Sequence, residues 1–252
     1  MAIPAQNIDE VLLEIDKIID QSVADNNHLG IFAYVYLRTT AQVKQAITEK
    51  LFEDNERMEK MDVAFANLYL KAYRDFHQNN ECAASWQTAF NAGKSSATIL
   101  QHIMLGMNAH INLDLGVAAA TFAPGLRMDT LETDFMKVNQ ILKGLVNEMQ
   151  ERVARVSRLM RVLDWMGKNT DELMINFSMQ KAREQAWNFA CYLAKQDPAE
   201  QHAVIVKKDG RISAFGQLLI KPPGIWLKLA VQVIALFETK DVKTIIDKLK
   251  AA

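Results

Sequence analysis

His110 and Asp114, four residues apart in the run GMNAHINLDLG, are the side chains best placed by type and spacing to do chemistry. On a helix that spacing stacks them on one side, one turn apart, so they can ligate a single divalent metal ion or work as an acid–base pair. The carboxylate can also simply orient the imidazole. His102 lies eight residues earlier. At about 1.5 Å of rise per residue its Cα sits about 12 Å from that of His110, too far for both to hold one ion. His102 therefore needs another partner, or a place on the wall of an elongated pocket.

A catalytic zinc keeps three protein ligands and a structural one four, so further groups would have to come from other helices. Asp62 opens the inward stripe of one such helix, and gives His110, Asp114 and Asp62 as the candidate metal set. Asp134 falls near a helix start, where a carboxylate can instead complement the helix dipole. Arg183, beside Glu184 and one turn before Trp187, offers a charge partner for a buried acid or for a substrate anion. Catalytic candidates are thus His110, Asp114, His102, Asp134 and Arg183. Asn108, Asn139, Trp187 and Met107 are the candidate substrate contacts. Each has a plainer reading: Asn108 and Asn112 as interhelical hydrogen-bonders, Asn139 as a buried bonded amide, Met107 as core, Arg183 and Glu184 as a salt bridge.

These residues need helices to position them. Ser95 to Ala120 is the most apolar long segment, with Ile99, Ile103, Gly106, Met107, His110, Asp114 and Val117 on one face and Gln101, Asn108 and Asn112 roughly opposite. A helix apolar nearly all round belongs in the middle of a bundle, where its imidazole and carboxylate must find partners. Only 10 glycines and 5 prolines punctuate the chain, and helical spacing recurs from end to end. The expectation is an all-α, single-domain bundle over 1–252, of about nine helices around the segment near 95–120.

Asn7 caps a first helix, Gly30 opens a second, and a third runs from about Glu56 to His77. Thr130 caps a long helix that follows a loop over Thr121 to Asp129 and ends at Gly167 and Asn169. Asp171 begins another, Asp197-Pro198 the next, and the KPPG turn at Lys221 to Gly224 precedes two terminal helices. Gly224 to Phe237 is too short and too polar for a membrane span, and reads as a core helix in preference to one that touches lipid or docks a partner helix.

Fifty per cent hydrophobic content, 23% charged residues and a formal charge of -1 describe an ordinary globular chain, with no basic, aromatic-studded groove for nucleic acid. Cys82 and Cys191 lack metal-type spacing, and the acidic start does not read as an export signal, so a reducing, cytoplasmic setting without an integral membrane segment is expected. The P-loop, GxGxxG, GxSxG and HExxH motifs do not occur.

GMNAHINLDL (Gly106 to Leu115), with Phe52 to Tyr73, Asp134 to Leu142 and Ala182 to Trp187, resembles an uncharacterised bacterial family, a domain of unknown function with a GMNAHIxxDL hallmark. The resemblance implies a helical domain whose hallmark polar positions are Asp62, His102, Asn108, His110, Asp114, Asp134, Asn139, Arg183 and Trp187, and it supplies no reaction. Three functions stay open. One is an enzyme with a buried His/Asp pocket, performing metal-assisted hydrolysis or proton transfer on a small hydrophobic or lipid-like substrate; another is a non-catalytic protein that binds an apolar small molecule, its His/Asp network purely structural; the third is an oligomeric scaffold in which Gly224 to Phe237 docks a partner helix.

Overall fold

The computed structural model describes residues 3–122, 127–157 and 179–251. Among these the chain forms eleven α-helices and no strand. They are α1 (Ile8–Ala24), α2 (Leu29–Thr48), α3 (Asn55–His77), α4 (Ala84–Asn91), α5 (Ile99–Ala109), α6 (Leu115–Phe122), α7 (Asp129–Val156), α8 (Met179–Leu193), α9 (Pro198–Ile220), α10 (Ile225–Phe237) and α11 (Val242–Lys250). Between α5 and α6 the residues His110–Asp114 form a single π-helical turn, so the central segment counts as two helices joined end to end. The expected starts at Asp171 and ends at Gly167 and Asn169, and the loop at Pro124 and Gly125, lie outside the described residues.

One contiguous apolar core runs from Ala5 to Leu249. The α5–α6 rod lies within it: Ile99, Ile103, Leu105, Ala109, Leu113, Leu115 and Ala119 are all buried. Thr98 starts the rod with a capping box, its hydroxyl accepting the Gln101 N–H while the Gln101 side chain accepts the Thr98 N–H. The polar strip turns toward α9. Gln101 Nε2 donates to the Leu219 carbonyl (2.7 Å) and Asn108 Nδ2 to the Ile212 carbonyl (2.9 Å), while Asn112 donates to Asn108 (3.0 Å). Close approach needs small residues. A Cβ on Gly106 would lie 2.2 Å from the Phe32 ring, and one on Gly116 would lie 2.6 Å from Phe189.

Among the described residues, acids from distant parts of the chain complete helix starts. Asp134 in α7 accepts the Glu53 and Asp54 N–H groups ahead of α3 (2.7 and 3.0 Å). Asp209 in α9 accepts those of Ala84 and Ser85 at the start of α4 (2.6 and 2.9 Å). Glu238 accepts that of Ile99 at the start of α5 (2.7 Å) and the Ser157 hydroxyl (2.8 Å). Each satisfies donors that a helix start leaves without intrahelical partners.

Two expectations are corrected. Thr130 does not cap the long helix, which begins at Asp129 without a side-chain cap; its hydroxyl donates to the Arg127 carbonyl instead. The Gly224 to Phe237 segment is not core: only Val231, Ile234 and Ala235 of α10 are buried.

Candidate functional site

The π-turn sets the geometry around His110. The turn carries both His110 and Asp114, on the side of the rod away from the Asn108 contact with α9. His110 Nδ1 lies 3.0 Å from Asp114 Oδ2, which also accepts the Trp86 indole N–H at 2.9 Å. Rings enclose the imidazole. Phe65 stacks on it with centroids 3.7 Å apart, Tyr36 meets it edge-on at 4.4 Å, and Phe32, Tyr69 and Trp86 stand about it at 5.9 to 6.1 Å. Burial among these rings pushes His110 well below the ordinary imidazole range and Asp114 well above the carboxylate range. Burial thus disfavours charge on both members of the pair.

Beyond Tyr36 the polar groups continue. Tyr36 and Thr40 lie one turn apart on α2, their hydroxyls next to each other and Tyr36 within electrostatic reach of Asp62 on α3, whose buried Oδ2 reaches no protein partner. His110 Nε2 is likewise buried and unpartnered. Burial raises Asp62 to about 7, with nearby Arg183 pulling the other way and Glu59 adding to the rise. Burial also raises the Tyr36 phenol, reinforced by the charge of Asp62.

Arg183 is held from α7. Its Nε donates to Asn139 Oδ1 (2.5 Å), its Nη2 donates to the Phe135 carbonyl (2.8 Å), and the guanidinium lies 4.7 Å from the Phe135 ring centroid. Burial lowers it to about 10, so it remains a cation at neutral pH. Trp187 covers the other part of that layer, packing on Phe135 at 4.8 Å. Asp62 and Asn139 are only partly buried.

The structure thus joins His110 with Asp114, and Arg183 with Asn139 within electrostatic reach of Asp62, and sends other candidates elsewhere. His102 stacks on His28 (4.8 Å between ring centroids) rather than approaching His110. Burial, with the charges of His28 and Lys240, lowers it to about 3. Beside this pair a void of about 10 Å³, room for one water, is lined by His28, His102, Phe32, Trp86 and Gly106 among others. Asp134 completes α3 and pairs with Arg57 (3.6 Å). Asn108 serves the contact with α9, and Met107 is a partly buried residue packed against the core. Among the described residues no three His, Cys, Asp or Glu side chains gather in a group able to hold a metal ion. His110, Asp114 and Asp62 are thus not assembled as a ligand set, since the first two bond each other and rings surround the imidazole.

Tyr36, Thr40, Phe65, Trp86 and His28 were not singled out from the sequence. The one signal for them is the i, i+4 spacing of Tyr36 and Thr40 on the aromatic face of α2.

The profile of DUF5995, described as a family of unknown function, matches residues 8–222. The chain belongs to this family. No curated protein and no solved structure matches it. The DUF5995 match covers every residue of the polar line from Tyr36 to Arg183, and it ends before α10. Among the described residues no single helix is long and apolar enough to cross a membrane; only α9 and α10 taken together pass that test, and they are bent by 72°.

Proposed function

We propose that this chain is an acid–base enzyme that transfers a proton to or from a small, largely apolar substrate, with Asp62 as the group that carries the proton. What carries the reading is a pair of buried polar atoms without protein partners, Asp62 Oδ2 and His110 Nε2, with the Tyr36 and Thr40 hydroxyls beside each other on a neighbouring helix. Buried polar groups are nearly always bonded, and an exception asks for a role. A carboxyl that titrates near 7 is matched to proton transfer at neutral pH.

In this reading Arg183 and Asn139 orient an anionic or carbonyl oxygen of the substrate, the Tyr36 and Thr40 hydroxyls bond its polar end, and His110 with Asp114 holds Tyr36 in place from behind. Proton transfer is favoured over metal-assisted hydrolysis because the three-ligand group is not assembled among the described residues. The test is ring opening of 5-nitrobenzisoxazole, a probe of a carboxylate base in an apolar pocket. The rate should rise with pH through about 7 and vanish in Asp62→Asn. Equal rates for the two proteins overturn the assignment.

The closed ring packing around His110 favours a second reading, a non-catalytic protein that binds an apolar small molecule and uses the His/Asp network only for rigidity. It expects no pH-dependent rate in any variant.

A further inference from the structure

The acid–base reading leaves α10 unused. Its buried side is narrow. At about 100° per residue, Ile225, Trp226, Leu229, Val233 and Leu236 fall within one sector of about 100° on the opposite side, and they are 46% to 81% exposed. A contiguous apolar surface on a folded chain marks an interaction site. Gly224, at φ +85°, occupies a backbone conformation that side chains rarely adopt, and the helix leaves α9 there at 72°.

Charge beside the sector is one-sided. Lys221, Lys228 and Lys240 are exposed. The two acids between 221 and 241 are engaged: Glu238 is turned inward onto Ile99 and Ser157, and Asp241 accepts the Thr244 N–H to start α11. Thirteen residues make a rod of about 20 Å, shorter than the roughly 30 Å hydrocarbon core, but suited to lying in the headgroup boundary. A second copy of the chain fits less well, because two such helices laid face to face bring lysines to one seam with no free acid to meet them.

We propose that α10 is a membrane-surface anchor that lays Ile225, Trp226, Leu229, Val233 and Leu236 into the headgroup boundary of an anionic lipid bilayer, with Lys221, Lys228 and Lys240 against the phosphates. The anchor does not depend on the proton-transfer reading.

The test is flotation of the full chain with vesicles of phosphatidylcholine, with and without phosphatidylserine. The protein should float with the anionic vesicles and less so as salt is raised. The double variant Trp226→Ser, Leu236→Ser should bind more than about tenfold more weakly. Lys228→Glu should weaken binding at least about fivefold on anionic vesicles and leave neutral ones unaffected. Both changes are at exposed positions, so melting curves should match the wild type; Lys228→Glu, which leaves the apolar sector whole, carries the test if the double variant unfolds. Absence of flotation, or flotation indifferent to both changes, overturns the anchor. So does a wild-type dimer that the double variant turns into monomers, which would assign the sector to a second copy.

Discussion

Phe65 lies flat against His110, the two rings 3.7 Å apart at their centroids and 8° from parallel. A ring stacked this closely shields one face of the imidazole, and Tyr36 closes an edge. His110 should therefore stay neutral across the physiological range. Burial lowers it, so the stability it contributes is present above the ordinary imidazole value and is lost only as pH falls. Imidazole NMR shifts of His110 should be flat from about pH 5 to 9, and a titration near the ordinary value of about 6.5 would refute the enclosure.

Asp62 behaves in the opposite sense. Its folded value, about 7, lies above the unfolded 3.8, so the folded state holds the proton more tightly. The stability this confers is present below 3.8 and lost as pH rises through about 7. Asp62→Asn removes that dependence. The melting temperature of the variant minus that of the wild type should grow between about pH 4 and 8, and a gap independent of pH would contradict it.

Gly106 faces Phe32 so closely that a Cβ would fall inside the ring's contact distance. Gly106→Ala forces Phe32 away from Trp86 and His110, both of which it touches. The expected cost is about 2–4 kcal/mol in urea unfolding, in the range of core overpacking and lost ring contacts. Phe32→Leu in the same chain should return part of it. If the double variant is less stable than Gly106→Ala alone, steric conflict is not the cause.

Asp134 is fully buried and holds two N–H groups that lead into another helix. Asp134→Ala leaves both unpaired and removes one of the two ion-pair partners of Arg57, at about 2–3 kcal/mol. Amide exchange should accelerate first at residues 53 to 58. Faster exchange at the start of α7 instead would mean that Asp134 serves its own helix.

The all-helical fold was legible because apolar spacing of 3 and 4 recurs with so few glycines and prolines. Asn7 and the His110–Asp114 pair were equally readable, since a cap and an i, i+4 contact are local. Asp134 was not, for a carboxylate near one helix start says nothing about the other start it reaches across the bundle. The π-turn was hidden too, because its extra residue leaves no mark in composition and only shifts which side chains share a face. Trp86 and Phe65 joined His110 through packing between helices, which no spacing along one chain segment encodes. For α10 the sequence misled: an apolar stripe is the same whether protein or another medium covers it.

Glu238 follows the end of the family match, yet it supports the first turn of the helix that carries His102 and leads into His110. Tyr34 and Arg152 likewise bond the Leu249 carbonyl near the end of α11. During synthesis these partners leave the ribosome well after the rod itself. The rod through the centre of the bundle can lock only after residues 238 and 249 have emerged, so the nascent chain must keep its greasiest segment from aggregating until then.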